Sequence, residues 1–133
     1  MSKPATPPDA KLVDAATLIR EAMELTAQGK TTEARAKLAR IDKRTPRALR
    51  AKAEVALADT YRTEDPASAQ RRYLAVAETY RDLDQGEAAL FSASKVARAR
   101  NAPTEEREIL QRCLSWYPKG SLAKFASDRL SKL

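Results

Sequence analysis

The chain has 133 residues, one domain's worth, with 43 % apolar and 32 % charged residues and a formal net charge of +7. Its mean hydropathy is −0.58, yet the apolar content is enough for a core, so wholesale disorder is excluded. The sequence holds no histidine, one cysteine (Cys113) and three glycines. Those counts exclude histidine acid–base chemistry, a disulfide framework, a Cys-rich zinc site and a glycine-rich nucleotide loop, and no cofactor is expected.

Alanine is the commonest residue at 26 of 133, with 15 arginines and 10 lysines. These are strong helix formers, and β-branched residues are sparse, so the prior is all-α. No apolar run approaches the ~20 residues that cross a bilayer. Residues 1–8 are polar and hold three prolines. They read as a disordered lead or linker before a single domain at 9–133.

Asp9 can cap a first helix running to about Gln28, with Leu12, Ala16, Ile19, Met23 and Ala27 in steps of three and four. Gly29 is placed to end it in a left-handed cap. Thr31 or Thr32 then caps a short helix carrying Ala34, Leu38 and Ile41. Thr45-Pro46 predicts the start of a third helix, with Thr45 as cap and Pro46 in the first turn. Asp65-Pro66 repeats that signal for a fourth, carrying Ala69, Tyr73, Val76 and Tyr80. Asp84 and Glu87 have the spacing of a capping box, which would open a fifth. Asn101 to Thr104 breaks it, and a sixth carries Ile109, Leu110, Cys113 and Leu114 up to Pro118. A last helix is expected to turn Leu122, Phe125 and Leu130 inward and Lys124, Asp128 and Arg129 to water. Seven helices and no strand are predicted.

The helices come in similar pairs. Pro46 and Pro118 each close a pair and lie 72 residues apart, with the midpoint at Asp82, so the period is about 36. In the first pair Leu18, Ala22, Leu25, Gly29, Ala34, Leu38 and Pro46 run in a large, small, large, Gly, Ala, large, Pro order. Leu57, Ala58, Tyr61, Ala69 and Tyr73 follow it in the second pair; Leu90, Ala93, Ala97, Asn101, Leu110 and Pro118 follow it in the third. On these residues, over about 12–118, the chain resembles the tetratricopeptide-repeat family. It departs from the pattern at Asp65, where a glycine is usual, and at Glu106, where alanine is. Trp116-Tyr117-Pro118-Lys119-Gly120-Ser121 resembles, more distantly, bacterial envelope members such as the Tol–Pal coordinator and outer-membrane assembly lipoproteins. The resemblance implies an all-α, right-handed stack of three helical hairpins with a C-terminal capping helix. Each pair buries one face alone, and stacking buries the rest.

Two surfaces are candidates for function. In this family the first helix of each pair lines a concave groove, which implies partner-binding residues Ile19, Met23 and Thr26, then Lys52, Val55, Asp59 and Arg62, then Phe91, Lys95 and Arg98. Apolar contacts with four cations suit a partner protein's acidic or C-terminal segment. The family's Lys/Asn carboxylate clamp is not supported, since Asn occurs once. The chain then reads as a non-enzymatic protein–protein adaptor. The alternative is anion binding, to nucleic acid or an anionic surface, through Arg35, Lys37, Arg40, Lys43, Arg44, Arg47, Arg50 and Lys52. Only Asp42 opposes that block within the window, so the whole net charge sits there, although no aromatic residue lies inside it for base stacking. Cys113 and Trp116 read as packing residues and Ser131-Lys132-Leu133 as a helix end. An open N-terminal pair leaves room for a homodimer. As it stands the chain reads as cytoplasmic, and as periplasmic or envelope-associated if it is one domain of a longer protein.

Overall fold

In the computed structural model, residues 8–133 are described, with side chains from Asp14 onward; residues 1–7 of the expected lead lie outside them. The described chain is all-helical, with seven α-helices and no strand: α1 (Pro8–Ala27), α2 (Thr31–Leu38), α3 (Arg47–Asp59), α4 (Pro66–Thr79), α5 (Asp84–Ala99), α6 (Pro103–Trp116) and α7 (Ala123–Leu130). Among these residues no helix is long and apolar enough to cross a membrane.

Local chemistry explains most of the ends. After α1, Gly29 takes φ +78°, its N–H donates to Thr26 O (3.0 Å), and Lys30 N–H donates to Leu25 O (2.8 Å). These are the paired bonds of a left-handed helix stop, in which a residue without Cβ is least strained. Asn101 takes φ 57° after α5 and repeats both bonds, Asn101 N to Arg98 O (3.0 Å) and Ala102 N to Ala97 O (2.9 Å). Asp65 caps α4 by accepting from Ser68 N (3.1 Å), with Pro66 in the first turn.

Other starts and ends differ from the sequence reading. Pro8 already lies in α1, so the helix begins before Asp9. Thr31 does not cap α2; its hydroxyl bonds Glu64 on the α3–α4 turn, and Lys30 holds the cap position without a side-chain bond. α2 also stops at Leu38, leaving Ile41 in the loop. α3 starts one residue late, with Pro46 still extended (ψ 147°) and Thr45 buried before it. The capping box of α5 does not form. Leu83 holds the cap position, and Glu87 is buried, accepting instead from Leu122 N (3.2 Å) and Ser121 Oγ (3.4 Å) at the entrance to α7. A buried carboxylate must find donors where it is enclosed, and the donors here belong to the far end of the chain.

Each helix packs on the next, and α1, α3 and α5 also touch in succession. Ile19, Ala22, Ala34, Leu38, Ala53 and Ala56 form one buried cluster across α1, α2 and α3. A larger one spans α3 to α7 around the fully buried Tyr73, Leu90 and Leu110. Alanine on the facing stripes lets the helices approach closely while these few large side chains fill the space between.

α7 keeps part of its expected setting: Leu130 packs against the core, and Lys124 and Asp128 are exposed. Phe125 and Arg129 depart from it: Ala126 is fully buried, whereas Phe125 is 60 % exposed and Arg129 turns inward. Glu106 on α6 is the reason. It is only 3 % exposed, and Arg129 reaches it with two bonds, Nε to Oε2 (2.6 Å) and Nη2 to Oε1 (3.1 Å). A carboxylate at a position packed by its neighbours needs hydrogen-bond donors, and Arg129 of α7 supplies two of them with a compensating charge. Glu106, the departure from the repeat pattern, thus sets the register of the last helix.

Candidate functional site

The residues expected in a groove have different fates. Ile19 is 3 % exposed and belongs to the buried cluster of α1, α2 and α3, so its side chain is core rather than groove wall. Met23, one turn on, is 52 % exposed. Thr26 is half-buried and donates to Ala22 O within its own helix (2.8 Å). On α3, Lys52 is exposed and Val55 leans on the core. Asp59 is half-buried and accepts from the hydroxyl of the fully buried Tyr73. Arg62 lies 5.8 Å from the Tyr73 ring centroid. Burial raises the Asp59 carboxyl above its ordinary range, against the lowering pull of the Tyr73 bond and Arg62. Burial, and then Asp59, push the Tyr73 phenol well up. Asp59 and Tyr73 are therefore committed to each other.

The third set comes together. Phe91 is half-buried and meets Phe125 with ring centroids 6.5 Å apart at 57°. Lys95 Nζ sits 5.1 Å from the Phe91 centroid. Phe91, Lys95 and Arg98 line one side of a cavity of about 330 Å3, and Phe125, Asp128 and Lys132 line the other. Glu106 and Arg129, already paired, also line it. The sequence reading missed the contribution of α7. Phe125, Asp128 and Lys132 recur at steps of three and four; of these, Phe125 is expected inward and is found exposed, whereas Asp128 is exposed as expected.

The basic block is not a strip of eight available cations. Arg35 donates to Thr60 Oγ1 (3.0 Å), Thr60 O (2.9 Å) and Glu64 Oε2 (3.0 Å), and lies 3.9 Å from the Tyr61 centroid. Lys37 pairs with Glu21 of α1 (3.2 Å) and Arg44 with Asp42 (3.3 Å). Arg47 pairs with Asp82 (2.6 Å), donates to Thr79 O (2.7 Å) and lies 5.1 Å from the Tyr80 centroid. Bonds from Thr31 and then Arg35 hold the Glu64 carboxyl below its ordinary range, and Arg47 does so for Asp82. Arg40, Lys43 and Arg50 have no carboxylate partner among the described residues. A count of charges within the window could not see this, because Glu21, Glu64 and Asp82 come from other elements.

The arginines instead lie against aromatic rings contributed by other helices and turns: Arg35 on Tyr61 (3.9 Å), Arg47 beside Tyr80 (5.1 Å) and Arg81 on Trp116 (3.9 Å). Arg72 lies 4.4 Å from the Tyr61 centroid and Arg112 5.5 Å from that of Trp116, so Tyr61 and Trp116 each have two guanidinium neighbours. Trp116 is thereby accounted for as a packing residue. Cys113 is buried, and burial pushes its thiol up to about 12. Among the described residues no group of three or more His, Cys, Asp or Glu is placed to hold a metal ion. No protein-family model, curated protein or solved structure matches the chain significantly.

Proposed function

We propose that the chain is a tetratricopeptide-like stack of three helix pairs (α1–α2, α3–α4, α5–α6) capped by α7, and that it binds a partner protein. The face offered by α1, α3, α5 and α7 would take an extended segment carrying acidic groups and a large apolar anchor. The repeat is supported by the matching left-handed stops at Gly29 and Asn101, 72 residues apart, the same interval that separates Pro46 from Pro118.

The observation that carries the binding reading is where apolar surface stays open. Among the described residues the exposed large apolar side chains are Met23 and Phe125. Phe125 sits on a cavity edged by Lys95, Arg98 and Lys132. Lys95, Arg98 and Lys132 outnumber Asp128, the one acid of the lining without an ion pair among the described residues. An exposed aromatic beside these cations recognises an apolar side chain next to carboxylates, with charge setting approach and the ring setting residence. The anionic-surface alternative loses support because Arg35, Lys37, Arg44 and Arg47 are occupied by acids.

The test is a peptide array of acidic segments with one Leu or Phe, read on the full chain, followed by titration of the best binder. Lys95→Ala with Arg98→Ala is expected to weaken binding about tenfold or more and flatten its salt dependence. Phe125→Ala is expected to cost a similar factor with the salt slope retained. Unchanged binding in both variants, or steeply salt-dependent binding to generic duplex DNA in place of peptide binding, overturns the reading.

A further inference from the structure

The early end of α2 has a second consequence. Because α2 stops at Leu38, the loop that follows leaves part of α3 uncovered, and a cavity of about 440 Å3 opens there, away from the α5–α7 cavity. Its apolar wall is Leu38, Ile41, Ala53, Leu57 and the ring of Tyr80. This volume is within the about 300–1,000 Å3 of small-molecule sites, which are mostly apolar with a few placed polar groups.

The charged lining is Arg35, Lys43 and Arg50 against Asp42 and Glu54. Arg35 is held by Thr60 and Glu64, and Asp42 by Arg44. Glu54 acts on the Tyr80 phenol, which burial and then Glu54 push up. Two cations are left. Lys43 is exposed and has no ion pair among the described residues. Arg50 is half-buried, and its Nε is fully enclosed with no hydrogen-bond acceptor. An enclosed guanidinium N–H without an acceptor is uncommon in folded proteins and costs roughly 1–3 kcal/mol. The cavity therefore joins an apolar wall to donors whose acceptor the protein does not itself provide.

We propose that this cavity binds a small apolar carboxylate, its body against Leu38, Ile41 and Leu57 and its carboxylate on Arg50 and Lys43. A single negative charge fits better than a phosphate, because Asp42 and Glu54 share the lining and oppose a second one. The cavity has no residue in common with the α5–α7 site, so either site can fail without the other.

Octanoate is the probe, titrated into the full chain labelled with 15N and followed by amide shifts, with 1-octanol as the uncharged counterpart. Saturable octanoate shifts confined to residues 38–44 and 50–57 are expected, with octanol weaker by about tenfold or more. Arg50→Met should lower octanoate affinity by a similar factor, and Ala39→Trp, a substitution at an exposed lining residue, should block it. If Arg50→Met melts early, Lys43→Ala repeats the charge test at an exposed residue without an ion pair. Lys95→Ala with Arg98→Ala should leave octanoate binding as it was. Non-saturating shifts, equal binding of octanol, unchanged affinity in Lys43→Ala, or shifts centred on α5–α7 each overturn the proposal.

Discussion

Gly86 lies in the first turn of α5, where helix propensity alone favours alanine by about 1 kcal/mol. The tertiary structure reverses the sign. A Cβ at this position would sit 2.3 Å from the carbonyl oxygen of Tyr80 and 2.7 Å from the Tyr117 hydroxyl. The first obstacle is backbone, and that carbonyl already accepts from Leu83 N (2.9 Å), so it cannot move without disturbing the α4–α5 turn. Overpacking of this kind costs about 1–3 kcal/mol, and a methyl against backbone belongs at the upper end. The Tyr117 hydroxyl would also be pushed from its bond to Arg81 O (2.8 Å), adding about 1 kcal/mol. Against the gain in propensity, Gly86→Ala is expected to destabilise by about 2–3 kcal/mol, a fall in Tm of about 10 °C for a chain of this size. Thermal unfolding followed by helical circular dichroism measures it. Tyr117→Phe in the same background should recover only part of the loss, since the nearer clash remains. A Tm at or above wild type for Gly86→Ala would refute the close approach of the α4–α5 turn to α5.

Arg129→Gln leaves Glu106 enclosed without its cation, so amide exchange across Ala123–Leu130 should quicken, and adding Glu106→Gln should slow it again; wild-type exchange in the single variant would show that the pair does not hold α7. Asp59 has a folded-state pKa raised by burial, so the folded protein holds this proton more tightly than the unfolded chain. Its contribution favours folding below the unfolded value of about 4 and is lost as pH rises through the folded value. Asp59→Asn, which still accepts from Tyr73, should therefore raise Tm near pH 7 and bring no gain near pH 3; equal shifts at both would refute the assignment. Cys113, enclosed and with its thiol pushed up to about 12, should resist a disulfide reagent near pH 8 in the native protein and react fully once unfolded.

The contrast between Asp65 and Glu87 shows where local signals suffice. Asp65-Pro66 started α4 as its residue types demand, because a cap bond joins atoms three residues apart and needs nothing else. Gly29 stopped α1, and Asn101 stopped α5, for the same reason. Glu87 had the right spacing for a cap but was drawn to Ser121 and Leu122, more than thirty residues away. Burial raises the stakes of an unmet carboxylate above those of one helix terminus, so the long-range partner prevailed.

The candidate surfaces divide along the same line. That this chain is helical, where its helices fall and roughly how many there are could be read from residues within one or two turns of each other, since helix propensity, capping and apolar period are short-range effects. Which cations remain available, which way α7 faces and where apolar surface stays open depended on Glu21, Glu64, Asp82 and Glu106, acids brought beside their arginine and lysine partners only by packing. Charge and burial act through space, so only the tertiary structure decided them.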